Sequence, residues 1–205
     1  MKRSVDYSLY LVTDREVLKG RDLCLSVEQA IQGGVTLVQL REKDVSSLEF
    51  YNIALAVKEV TDKYKVPLII NDRLDIALAI NAAGVHVGQS DLPCKVVRSI
   101  IGDEKILGVS AATLEEAIAS QKAGADYIGV GAMYPTGTKS NTRAVTIETL
   151  ASIKKSISIP IVAIGGINEN NYAPLKSTGI DGLAIVSAIL GKEDIRKASE
   201  RFVLG

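Results

Sequence analysis

Tryptophan is absent from this 205-residue chain, histidine occurs once, and Phe and Tyr together make up only 4% of it. Each scarcity removes a class of function. With so few aromatic rings there is little for unpaired bases to stack on. A formal net charge of +0 offers no basic field for nucleic acid or an anionic membrane, so neither is expected as a partner. The single histidine, His86, leaves no His/Cys ligand set for zinc. Cys24 and Cys94 lie far apart with no CxxC partner, and read as reduced thiols of a cytoplasmic protein. No segment approaches the roughly 18 uninterrupted apolar residues of a membrane span, and Met1–Asp6 leads into no long apolar run. Neither a transmembrane helix nor a signal peptide is therefore expected.

What is present is a core and a rhythm. Apolar residues make up 47% of the chain, normal for a globular protein. Short apolar runs with polar or glycine-rich ends alternate with longer amphipathic stretches. The runs are Ser8–Asp14, Leu37–Val38, Pro67–Asp72, Gly84–Gly88, Lys105–Ser110, Tyr127–Gly131, Ile159–Gly166 and Gly182–Ser187. Between them, helices are predicted over Leu23–Gly33, from Ser46 through Val60, and over Asp75–Ala83, Leu92–Ile100, Thr113–Ala123, Ile147–Ser156, Glu169–Ser177 and Glu193–Phe202. Ser46 with Glu49, and Thr113 with Glu116, have the spacing of a helix start. The runs are near-continuously apolar, as in strands covered on both faces, so the sheet should be parallel. Eight such units and no internal linker predict a single-domain (β/α)8 TIM barrel over residues 1–205, at the small end of its size range.

In such a barrel the chemistry sits where strands end and loops to the helices begin. The polar residues collect there. Gln39, Leu40, Arg41, Glu42 and Lys43 follow the second strand, Asn71 and Asp72 the third, and Asp91 the fourth; Ser110 ends the fifth. Thr136, Gly137, Thr138 and Lys139 follow the sixth, Gly165 and Gly166 end the seventh, and Val186 and Ser187 the eighth. The Gly165–Gly166 pair reads either as a tight turn or as exposed backbone N–H groups for a phosphate, the latter favoured by Ser187 and the helix start after it. Asp72 and Asp91 come from adjacent strands about 4.8 Å apart. They read as cap and turn residues, or as oxygen ligands for Mg²⁺ beside phosphates. The neighbouring Arg41, Lys43 and Lys139 favour the second reading. Gly131 and Gly137-Thr138-Lys139-Ser140 do not make a nucleotide-binding loop, because five residues separate the glycines and Thr138 intervenes before the lysine. His86, mid-strand between two valines, reads as a core residue with a satisfied ring. Lys139, in a loop, is poorly placed for Schiff-base chemistry.

Taken in order, Gln39–Lys43, Asn71-Asp72-Arg73, Gly84–Gln89 with Asp91, Pro135–Lys139, Val162–Ile167 and Val186–Ile189 together resemble the thiamine-phosphate synthases. The likeness runs from Tyr10 to about Ile189. It implies joining of a hydroxymethylpyrimidine diphosphate to a hydroxyethylthiazole phosphate, with Mg²⁺ required and diphosphate released. Carried over by position, Gln39 to Lys43, Asn71, Ser110 and Lys139 would hold the pyrimidine diphosphate, and Asp72 and Asp91 the Mg²⁺. Thr136, Gly137, Thr138, Gly166, Val186 and Ser187 would hold the thiazole phosphate. The resemblance gives catalysis to Lys139, Arg41, Lys43 and Ser110, and implies a dissociative reaction in which the pyrimidine ring stabilises a methylene cation. Two rivals stand beside it: a related thiazole tautomerase, which would need an acid/base residue and no diphosphate grip, and a non-catalytic phosphate-binding barrel. Whether the chain forms a homo-oligomer is left open.

Overall fold

The computed structural model describes residues 4–137 and 143–203; Thr138 and Lys139 lie outside the described residues. Eight parallel strands pair in chain order and close on themselves. They are β1 (Leu9–Val12), β2 (Leu37–Leu40), β3 (Leu68–Asn71), β4 (Gly84–Val87), β5 (Ile106–Ala111), β6 (Tyr127–Val130), β7 (Ile161–Ile164) and β8 (Gly182–Ile185). Tyr10 stands opposite Leu37 of β2 on one side and Ala184 of β8 on the other, which shuts the ring. Helices ring the outside: α1 (Arg15–Leu18), α2 (Leu23–Gln32), α3 (Ser47–Lys63), α4 (Leu74–Ala79), α5 (Cys94–Ile101), α6 (Leu114–Lys122), α7 (Ile147–Ser156), α8 (Ala173–Lys176), α9 (Ser187–Leu190) and α10 (Ile195–Glu200).

Strand alternation divides the apolar residues into two cores. Leu9, Leu11, Val38, Leu40, Ile70 and Val85 pack outward with helix residues such as Phe50, Val57 and Val97. Tyr10, Val12, Leu37, Ile69, Tyr127, Val162 and Ala184 pack together inside the barrel. Both faces of each strand are thus covered, which is why the strands carry apolar runs instead of alternation. The expected helix starts are present: Ser46 Oγ accepts from the Glu49 N–H at 3.2 Å, and Thr113 Oγ1 from the Glu116 N–H at 3.2 Å.

Several boundaries differ from the sequence reading, each for a local reason. Helix α5 begins at Cys94, not Leu92, because Pro93 holds extended backbone (ψ 136°) and disfavours helix in the residue before it. Helix α4 stops at Ala79, and Asn81 takes a left-handed φ of +53° two residues on. Helix α8 starts at Ala173 instead of Glu169. Asn171 Oδ1 accepts from the Asn168 N–H (2.8 Å) and its amide donates to Gly166 O (3.0 Å), so side chains compete with helix formation there. Helix α10 is likewise shorter, starting after the cap Asp194, and α1 is an unforeseen single turn capped by Asp14. No helix among the described residues is long and apolar enough to cross a membrane.

Candidate active site

A cavity of about 650 Å³ opens at the C-terminal ends of the strands, within the range of about 300–1,000 Å³ usual for small-molecule sites. Gln39, Arg41, Asn71, Ser110, Thr136, Gly166, Val186 and Ser187 all line it. Eight residues singled out from strand ends therefore share one space. Leu40, Glu42, Lys43, Asp72, Asp91 and Gly137 do not line it, and strand geometry accounts for the first two. Leu40 is fully buried in the outer core, since its neighbours Gln39 and Arg41 take the inward side. Glu42 is also turned away, with Arg15 donating to it at 2.8–3.0 Å. Burial raises the Glu42 pKa above the ordinary carboxylate value despite that partner. Gly137 lines an adjoining groove with Thr136, Gly166, Ser187 and Lys192.

The charged edge of the mouth is pre-paired. Asp14 caps α1 with one oxygen and takes the Arg41 guanidinium on the other at 3.1 Å. The Arg41 backbone N–H donates to Thr13 Oγ1 at 3.0 Å, so both ends of Arg41 are held. Lys43 Nζ lies 2.8 Å from Asp72 Oδ2. Asp72 and Asp91 interact directly, and Asp91 Oδ2 also accepts from the Gly88 N–H at 2.7 Å. Burial opposes ionisation of both carboxyls. At Asp72 the Lys43 ammonium outweighs it and the pKa falls below the ordinary value; at Asp91 burial and the Asp72 charge keep it above. Asp72 takes φ of +62°, a region uncommon for side-chain-bearing residues and most accessible to Asn and Asp.

Across the mouth, Gly165 and Gly166 both take positive φ, +101° and +64°. A Cβ on Gly166 would lie 2.5 Å from Pro135 O, and one on Gly165 2.6 Å from Ala132 Cβ. Close packing of the loop after β6 therefore requires glycine, and the same pair leaves backbone open to the cavity. The two readings of this pair are compatible.

Beneath the mouth runs an interior hydrogen-bond chain. Gln39 Nε2 donates to Tyr10 Oη at 2.8 Å, Tyr10 Oη lies 2.7 Å from Tyr127 Oη, and Tyr127 Oη lies 2.9 Å from His86 Nδ1. His86 Nε2 completes it, 2.9 Å from Ser110 Oγ. The buried, satisfied histidine expected from sequence is there, but its ring also touches Ser110. Tyr10 and Tyr127 were not distinguished from core residues, because a tyrosine in an apolar run carries no sign of where its hydroxyl goes. Arg143 and Glu116, an ion pair on the cavity wall, also lie outside any quoted motif. Sequence spacing marks Glu116 only as a capping residue, although its carboxylate takes the Ala112 N–H at 2.8 Å.

A family model described as thiamine monophosphate synthase matches residues 9–189. A thiamine-phosphate synthase from Clostridium tetani is 63% identical over 198 residues, covering 97% of this chain and 95% of that protein. One from Alkaliphilus oremlandii is 64% identical over 197 residues, covering 96% and 94%. The solved thiamine phosphate pyrophosphorylase from Pyrococcus furiosus superposes with a TM-score of 0.88 at 40% identity, covering 96% of this chain and 94% of that one. A geranylgeranylglyceryl phosphate synthase from Thermoplasma acidophilum, at 16% identity and a TM-score of 0.71, shares the fold alone. The chain belongs to the thiamine monophosphate synthase family, as a transferase on a (β/α)8 barrel.

Proposed function

We propose that this mouth joins a hydroxymethylpyrimidine diphosphate to a hydroxyethylthiazole phosphate by magnesium-assisted departure of diphosphate. That the chain makes thiamine phosphate follows from its family; the roles of individual residues are this reading's own. One observation carries it: Arg41, Asn71, Ser110, Gly166 and Ser187 line one cavity, and the Lys43–Asp72 pair and Asp91 sit next to two of its lining residues, Asp72 following Asn71 and Asp91 accepting from the Gly88 N–H. One side suits a diphosphate and a cation, the other a second phosphate.

The bond changes set the demands. The bond from the exocyclic methylene carbon to diphosphate oxygen breaks, diphosphate leaves with that electron pair, the pyrimidine ring stabilises the methylene cation left behind, and the thiazole nitrogen then gives its lone pair to that carbon. The nitrogen has no proton to lose, so no general base is needed. The chain must neutralise the departing anion and hold the partners in line. Arg41, Lys43 and Lys139 supply positive charge, while Gln39, Asn71 and Ser110 orient the pyrimidine diphosphate. Thr136, Gly137, Thr138, Gly166, Val186 and Ser187 receive the thiazole phosphate, with first-turn N–H groups of α9 that no helix carbonyl takes. Among the described residues no three His, Cys, Asp or Glu side chains gather around a metal position. Two interacting carboxylates are nonetheless a suitable set for Mg²⁺, which keeps waters and shares substrate phosphates. Bound there, Mg²⁺ would add positive charge against the diphosphate oxygens. The reading takes the reaction to be cytoplasmic, which fits two cysteines, Cys24 and Cys94, that form no disulfide.

The test is product stoichiometry. With both substrates and Mg²⁺, the purified protein should form thiamine phosphate and diphosphate in equal amounts, and neither with one substrate omitted. A tautomerase or a phosphate-binding barrel would release no diphosphate, and that result would end the proposal.

A further inference from the structure

We propose that Tyr10, Tyr127 and His86 are positioning residues: through one buried hydrogen-bond chain they set which atom Gln39 and which atom Ser110 present to the pyrimidine diphosphate. The proposal rests on the reading of the mouth given above and names three residues which that reading does not use.

The chain has two ends and both reach the cavity. Gln39 donates with its amide nitrogen to Tyr10 (2.8 Å), which leaves the amide oxygen outside the chain. Tyr10 then accepts at its oxygen and has one proton to give. Its partner at 2.7 Å is Tyr127, which in turn has one proton for His86 Nδ1 at 2.9 Å. A neutral imidazole accepting at Nδ1 carries its proton on Nε2, and that proton meets Ser110 Oγ at 2.9 Å. With Oγ already accepting, the Ser110 proton is the one group left to donate outward. With the Gln39 amide nitrogen on Tyr10, the chain has a polarity: a carbonyl acceptor at Gln39 and a hydroxyl donor at Ser110. Turning the Gln39 amide would reverse every bond in the chain, so what the two ends present is set together. An aminopyrimidine N–H and a diphosphate oxygen, one donor and one acceptor on a single substrate, match that pair.

The barrel interior is shaped around this chain. Such interiors are commonly filled by branched apolar side chains, yet here two phenols and an imidazole occupy the middle. Tyr10 and Tyr127 are about 1% and 0% exposed, and burial holds both phenols protonated far above their usual range. Neighbouring strands give up side chains to admit them. A Cβ on Gly108 would lie 2.2 Å from Tyr127 Cζ, and one on Gly129 would lie 3.2 Å from His86 Cε1. A core needed for packing alone would not require buried polar atoms that each demand a partner.

Tyr127→Phe keeps the ring and removes the central link. It should raise KM for the pyrimidine diphosphate about tenfold, the scale of one hydrogen bond, and leave KM for the thiazole phosphate unchanged. Ser110→Ala should then cost less in the Tyr127→Phe background than in the wild type, because the hydroxyl has already lost its orientation. Unchanged KM values, an equal rise for both substrates, or an undiminished Ser110→Ala effect would overturn the proposal. If Tyr127→Phe fails to fold, Tyr10→Phe breaks the same chain one link away and is read in the same way. A wild-type protein that releases no diphosphate would instead overturn the reading of the mouth, and shows this before any variant is made.

Discussion

Asp72 combines three properties that rarely coincide: a left-handed backbone, a lysine at 2.8 Å and a second carboxylate in contact. Backbone outliers of this kind cluster at functional sites, and this one directly follows Asn71, which lines the mouth. Asparagine tolerates the same φ, so Asp72→Asn removes charge with little change of shape. Titrating Mg²⁺ against turnover should show half-activation at a concentration at least about tenfold higher than for the wild type, the scale of losing one anionic ligand. An unaltered titration would take Asp72 out of the metal site. At this scale the sequence was informative where a polar side chain ended an apolar strand, as at Gln39, Asn71 and Ser110. It was less so inside the run from Gln39 to Lys43, where successive residues face opposite sides: Leu40 went to the outer core and Glu42 to Arg15. The Tyr10–Tyr127–His86 chain was hidden because it joins strands far apart in sequence.

At the level of elements, what positions the mouth is anchored at its far end. Arg98 of α5 donates from Nε to Gly124 O (3.0 Å), from Nη1 to Gly102 O (2.6 Å) and Lys105 O (2.8 Å), and from Nη2 to Asp126 Oδ2 (2.6 Å). Asp126 Oδ2 also accepts from the Leu107 N–H at 2.8 Å. One guanidinium thus ties α5 to the starts of β5 and β6, and neither partner of the ion pair is more than 20% exposed. Arg98→Ala would break the ion pair with Asp126 and the bonds to three carbonyls, a loss of about 3 kcal/mol, and lower the unfolding midpoint by roughly 6–12 °C for a chain of this size. Calorimetry checks this, and turnover at 25 °C should be unaffected because Arg98 is remote from the mouth. A midpoint shift under 2 °C would show the anchor to be ornamental. Element types were legible because periodicity and caps act locally, as at Ser46 and Thr113. Boundaries failed where one residue overrode the pattern: Pro93 delayed α5, and the asparagines from 168 to 171 folded onto their own backbone.

The whole molecule has two ends with different chemistry. A larger cavity, about 900 Å³, lies at the starts of the strands, lined by residues including Asp6, Lys58, Asp62 and Lys105. Its size does not make it the site. Its charges are paired as those of the mouth are, Lys58 with Asp62 and Lys105 Nζ with Asn81 Oδ1 and Ala82 O; what sets the two ends apart is that such barrels carry their chemistry at the C-terminal ends of the strands. The opposite mouth gathers the strand-end polar residues around a common space. That asymmetry was legible before any coordinates, since parallel strands wound in chain order must put all their C-terminal ends on one face. The account stands or falls on cation and diphosphate meeting at that face. Crystals grown with Mn²⁺ in place of Mg²⁺ and with diphosphate test it most directly, through anomalous scattering. The account predicts a manganese peak coordinated by Asp72 and Asp91, with diphosphate beside Arg41 and Lys43. A peak at the other end of the barrel, or diphosphate bound with both aspartates untouched, would contradict it.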